Sequence, residues 1–156
     1  MRIVCVTAIL MALVPLMAFA QTPAPKVTRT NPPALSTPTG YTHVVEVTGP
    51  VKTIYIAGQI AFDKDGKIVG AGDMKAQTEQ VFANLKGALS AAGATFADVV
   101  KMNTYVTDMS QASVIREVRA RYFGSTPPAS TLVQVAALAR PELMVEIEVI
   151  AVSATR

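Results

Sequence analysis

The chain opens with a block that shows no periodicity: positions 3 to 20 are apolar apart from Thr7. It follows Met1-Arg2 and ends in Ala18-Phe19-Ala20, small residues at the two positions a signal peptidase reads. That is the pattern of a secretory signal peptide over residues 1–20, cleaved before Gln21. Retained, the same stretch would be at the lower edge of membrane-spanning length. Residues 21–39 carry Pro23, Pro25, Pro32, Pro33 and Pro38 with no core-forming period, and read as a flexible, proline-rich tether. The domain itself is expected over residues 40–153.

After Gly40 the pattern becomes regular. Residues 42–47 and 52–57 are β-branched runs, read as two adjacent strands joined by a tight turn at Gly49-Pro50. Asp63, Asp65 and Gly66 read as turn chemistry, with too few oxygen ligands for a calcium loop. Residues 74–92 have helical spacing, with Val81, Leu85, Ala88 and Leu89 on one stripe, Asp73 as N-cap and Gly93 as stop. Residues 99–107 form a Val/Thr/Tyr-rich strand. Residues 111–123 form a second helix, expected to be capped by Ser110 and stopped by Gly124, with Val114, Ile115, Val118 and Tyr122 facing inward. Strands over 130–137 and 143–152 close the chain.

The order β-β-α-β-α-β-β supplies too few helices to cover two sheet faces. Both helices should lie on one face of a mixed sheet, a two-layer α+β domain. In the last strand Leu143, Val145, Ile147, Val149 and Ala151 would face the helices, and Met144, Glu146, Glu148 and Ile150 the other side. Met144 and Ile150 make that second face more apolar than a solvated one requires. It is therefore expected to meet another copy of the chain.

Composition narrows the function. The 156 residues are 51% hydrophobic and 16% charged, with mean hydropathy +0.37, which excludes a disordered chain. There is one cysteine, Cys5, one histidine, His43, and no tryptophan. A Cys/His zinc site, a Cys-x-x-Cys pair and a disulfide scaffold are thus excluded within one chain. Without Arg2 the chain has 13 basic and 11 acidic residues, too slight an excess to imply nucleic acid. Arg116, Arg119 and Arg121 read as a solvated helix face, His43 as a surface or packing residue, and Tyr55, Tyr105 and Tyr122 as core.

Several short motifs occur in a fixed order: Gly40-Tyr41, Ile56-Ala57-Gly58-Gln59-Ile60, Gln77 to Leu85 with Ala91-Ala92-Gly93, Tyr105-Val106-Thr107-Asp108, Pro128-Ala129-Ser130-Thr131, and Val145-Glu146-Ile147-Glu148. In this order and spacing, over roughly residues 40 to 152, the chain resembles the RidA (YjgF) family. The resemblance implies a chorismate-mutase-like fold and a homotrimer with small-molecule pockets between subunits. It further implies, without any cofactor or metal, hydrolysis of reactive enamines and imines released by pyridoxal-phosphate enzymes. Some relatives are described instead as chaperones or ribonucleases.

Carried over residue by residue, the resemblance makes Glu146 the catalytic group that positions water, and Tyr41, Gly58 and Gln59 the pocket lining. The deaminases read Pro-Ala-Arg-Ser-Cys where this chain reads Pro128-Ala129-Ser130-Thr131-Leu132. Ser130 and Thr131 would therefore stand in the substrate-binding positions, with Ser130 replacing the carboxylate-gripping arginine. Arg116 stands near a position where those enzymes often have asparagine. An arginine grips a carboxylate through charge-assisted bonds worth about 1.5–3 kcal/mol each, so weak turnover of 2-iminopropanoate is expected. The expected partners are a small-molecule ligand and the chain itself, with no nucleic acid and, after signal cleavage, no membrane. The expected location is periplasmic or secreted. The alternative is a non-enzymatic ligand-binding or chaperone-like envelope protein.

Overall fold

The computed structural model describes residues 25–154; the signal-peptide stretch lies outside the described residues, as does the start of the tether. The first departure from the sequence reading is in the rest of that tether. Lys26–Thr30 (β1) is a strand, paired antiparallel with Val44–Thr48 (β2) from Lys26↔Thr48 to Thr30↔Val44. Prolines flank β1 at Pro25 and Pro32 without entering it, so its ladder donors are intact. Pro32, Pro33 and Pro38 fall in the loop that returns to β2.

The turn at Gly49-Pro50 is present, but it does not join partners. Beyond it Val51–Gln59 (β3) enters a different, four-stranded sheet. The helix Met74–Ala91 (α1) comes next, then the strand Val99–Val106 (β4), the helix Ala112–Phe123 (α2), and the strands Ala129–Gln134 (β5) and Val145–Ala154 (β6). The sheet order is β3-β6-β4-β5, antiparallel except for the parallel pair β4 and β5. The α+β class and the mixed sheet are as expected.

Local chemistry accounts for the helix ends. The Asp73 carboxylate accepts from the backbone N–H of Lys75 (2.9 Å) and Ala76 (3.0 Å), filling orphan donors at the start of α1. The second helix differs from expectation. Asp108, not Ser110, is the capping side chain, taking bonds from Ser110 N (2.9 Å) and Ser110 Oγ (2.7 Å). It caps a short 3₁₀ turn, Met109–Gln111, that leads into α2. The Ser110 side-chain bond first, then a bond from Gln111 Nε2 (3.1 Å) and the Ser110 backbone bond, hold the Asp108 carboxyl below its ordinary pKa.

Both helices cover one sheet face. Val81, Phe82, Leu85 and Leu89 of α1 and Ile115 and Val118 of α2 are buried against Met102, Val106, Val145, Ile147 and Val149. Phe82 stacks on Tyr122 with ring centroids 4.5 Å apart. Thus Tyr122 sits at the core as expected, but Tyr55 does not. At 77% exposure it stands on the helix-free face, beside Ile150 across the β3–β6 ladder.

Candidate functional site

The matched residues fall into two groups, each built around a glycine. The first lies where β3 runs beside β6. Three residue steps on β3, from Ile56 to Gln59, face two on β6, from Val149 to Ile147, so a bulge falls at Ala57-Gly58. The bulge brings the Gly58 backbone against the Glu146 side chain. A β-carbon on Gly58 would lie 2.8 Å from Glu146 Cδ and 2.9 Å from Cγ, too close for either. The Glu146 carboxylate is half-buried and, among the described residues, forms no ion pair. Gln59 turns back on its own strand, donating to Ala57 O at 3.0 Å. The loop beyond is held by α1, whose Asn84 Nδ2 donates to Ile60 O and Phe62 O, both at 2.9 Å.

The start of β6, and with it Glu146, is held by a residue that the sequence pattern left as part of a helix. Gln77 is fully buried. Its Nε2 donates to Glu142 O (2.7 Å), and its Oε1 accepts from Met144 N (2.8 Å). Both backbone groups lie in the segment that feeds β6, and the amide satisfies each.

Glu148, two residues on, is differently placed. It accepts from Asn103 Nδ2 at 2.8 Å and Tyr105 Oη at 3.0 Å across β4. The bond to Glu148 is the main reason the Tyr105 phenol is raised above its ordinary pKa. Both cross-strand donors thus go to Glu148 and not to Glu146. Tyr105 lies on the helix-free face with both carboxylates rather than in the core.

The second group lies at the other edge of the sheet. Thr42 is buried and pins the loop before β2 to the start of β5: its N–H donates to Pro128 O (3.1 Å) and its Oγ1 to Pro127 O (2.6 Å). That attachment sets Tyr41 beside Ser130. Thr39, Tyr41, Ser130, Leu132, Arg116 and Arg119 line a cleft of about 160 Å³. A second cavity of about 200 Å³ adjoins it and shares Thr39, Arg116 and Arg119. His43 braces the same loop, its Nε2 lying 2.8 Å from Ser36 O and its ring edge-on to Tyr41.

Thr131 does not join this cleft. Strand alternation turns it to the helix-free face, where it accepts from Lys101 Nζ at 2.8 Å. Arg119 does join it, against the reading of a solvated helix face. Only 8% exposed, Arg119 lies over Gly40, where a β-carbon would stand 2.5 Å from its Nη2. Gly40 has φ +75°, so it supplies both the turn and the room. Among the described residues Arg119 makes no ion pair. Burial, and then the charge of Arg116 one turn away, lower its pKa. Arg140 points elsewhere, over the Phe62 ring at 5.0 Å.

The two groups do not meet within one chain. Ser130 pairs with Met102, which pairs with Val149, so Ser130 is two strands from β6 and shares the helix side with that valine. Glu146 is three residues along from Val149 and on the opposite face. Two strand spacings alone amount to about 10 Å.

Comparison with known proteins adds the following. The sequence pattern of the family described as Endoribonuclease L-PSP matches residues 32–153. A RutC family protein of Pyrococcus horikoshii is 46% identical over 99 residues, covering 63% of this chain and 77% of that protein. The crystal structure of YyfB, a protein of the conserved Rid family from Yersinia pestis, is 42% identical with TM-score 0.74, covering 80% of this chain and 97% of the other. The structure of E. coli TdcF with bound serine is 33% identical with TM-score 0.59, covering 64% and 80% respectively.

Proposed function

This chain belongs to the RidA (YjgF) family, and on that premise we propose that it is an exported homotrimer whose subunits complete one another's small-molecule pockets and hydrolyse imines or enamines. One observation carries the reading. The carboxylate of Glu146 and the cleft at Ser130 lie on opposite faces of one sheet, so a site using both draws on two chains. The helix-free face supports the same assembly, since Tyr55 and Val133 stand exposed there at 77% and 40%. The serine bound to TdcF supports a pocket of amino-acid size.

The chemistry asked of the site is small. Water adds to the imine carbon while Glu146 accepts one of its protons. That proton passes to the nitrogen, giving an amino alcohol; as the C–N bond breaks, the proton of the new hydroxyl follows to the nitrogen, and ammonia and a carbonyl compound leave. Tyr41, Gly58, Gln59 and Ser130 would surround the substrate. Thr131 is a weaker candidate than its sequence position implied, because its hydroxyl is held by Lys101 on the helix-free face.

The test couples light scattering with an assay in which an amino-acid oxidase generates imino acids in place. A trimer whose keto-acid release falls about a hundredfold or more in Glu146→Gln is the expected result. A monodisperse monomer, or unchanged turnover in Glu146→Gln, overturns the proposal. A non-enzymatic ligand binder is the second reading, favoured by Ser130 in place of an arginine. Binding without turnover, lost in Ser130→Trp, would establish it.

A further inference from the structure

Arg119 poses a physical problem. An arginine that is 8% exposed as a residue ordinarily sets its head group against a carboxylate, and this one has no acidic partner among the described residues. Its nearest charge is of the same sign. Arg116 lies three residues away on α2, so the two side chains share a helix face. Both line the cleft at Ser130 and the cavity next to it, and no Asp or Glu lines either. The remaining polar lining is hydroxyl: Thr39, Tyr41 and Ser130. Gly40 keeps the space that the Arg119 head occupies. The whole arrangement presents donors and two positive charges, with no carboxylate in the lining to neutralise them.

We propose that Arg119 and Arg116 form a two-guanidinium seat for a small dicarboxylic acid, with the hydroxyls of Tyr41 and Ser130 completing the cradle. One guanidinium takes one carboxylate through paired N–H donors. The second guanidinium is left for a second acid group on the same ligand, since this chain's own lining offers it no carboxylate. Resting on the reading above, the seat makes the preferred substrate a 2-imino dicarboxylic acid, of the kind formed when an acidic amino acid is oxidised at its α-carbon. The anchor that position 130 lacks on β5 is thus supplied from α2.

The experiment is calorimetric titration of the purified protein at low ionic strength with succinate, acetate and inorganic phosphate. Succinate is expected to bind about tenfold or more tightly than either of the others. Arg119→Met is expected to lower succinate affinity about tenfold or more, and Arg116→Gln, at an exposed position, to lower it in the same direction. Phosphate binding equal to succinate would overturn the dicarboxylate assignment. Succinate affinity within about twofold of wild type in both variants would overturn the seat itself. Arg116→Gln keeps the test decisive should Arg119→Met fold poorly. Arginine-dependent succinate binding in a protein that hydrolyses no imine leaves the seat standing and removes the hydrolytic function. Hydrolysis that needs Glu146 but ignores both succinate and Arg119→Met does the reverse.

Discussion

Replacing Arg119 by methionine should make the protein more stable. The arginine stem is packed among buried neighbours, and methionine keeps most of that volume while deleting the head group. What is removed is a charge that the fold disfavours. Its lowered pKa means that the charged form is held less well in the folded state than in water, and the penalty applies at every pH below that pKa. A fully buried, unpaired ion costs several kcal/mol even after relaxation. Here the head opens on a cleft, so only part of its hydration is lost and the gain is about 1–2 kcal/mol. For a domain of this size that raises the midpoint by about 3–8 °C. Urea unfolding at fixed protein concentration measures it directly: the midpoint concentration should rise with an unchanged slope. A loss of about 1 kcal/mol or more would refute the reasoning, because it would mean that Arg119 has a compensating partner.

Three further outcomes are expected. Gly58→Ala forces the Glu146 side chain to swing aside, since Cγ and Cδ would both lie within 3 Å of the added methyl. Gly58 has no positive φ to protect, so turnover should fall about a hundredfold with stability changed by less than about 1 kcal/mol, separable by steady-state kinetics and thermal melting. Gln77→Leu strips partners from two part-buried backbone groups, Glu142 O and Met144 N–H, and should cost about 1–3 kcal/mol in urea unfolding. The raised Tyr105 pKa favours the protonated phenol in the fold. Its contribution to stability is therefore present below the unfolded value near 10.0 and lost as pH rises through the folded one. Glu148→Gln should move the tyrosinate absorbance transition to lower pH, and an unmoved transition would assign the shift to another cause.

The elements legible in the sequence were those whose patterns have a local cause. The alternation from Leu143 to Ala151 appears in the structure as a fully buried row facing the helices. The spacing of Val81, Leu85 and Leu89 likewise became the buried stripe of α1. Lys26–Thr30 was not legible, because its five residues have no apolar alternation and gain a partner only when β2 is laid beside them. The same limit applies to strand pairing: Gly49-Pro50 marked a turn, but nothing local said that β2 and β3 would go to different sheets. At the candidate site, motif order pointed to Glu146, Tyr41 and Ser130. It could not show that Thr131 faces away, which follows from β5 pairing with β4 in its particular register.

Arg119 was the residue most thoroughly concealed. Read along α2, Arg116, Arg119 and Arg121 look like one charged surface. The structure divides them by consequence: Arg121 leaves the helix to meet Glu79 at 2.7 Å, with both side chains about half exposed, an ordinary surface pair. Arg119 instead passes over Gly40 into the cleft, and only the tertiary approach of that glycine makes the position available to it. A residue without a side chain therefore has the same role at both edges of the sheet, Gly58 for a carboxylate and Gly40 for a guanidinium. Opposite charges thus stand on opposite faces of one chain, where they cannot neutralise each other. Were they adjacent, they would pair and the site would be closed; kept apart, each remains free for the intersubunit ligand proposed above. Gly40→Ala tests that separation. It should expel Arg119 from the cleft, weaken succinate binding about as much as Arg119→Met does, and leave the Glu146 environment unaltered; retained binding would show that the guanidinium does not depend on this glycine for its place.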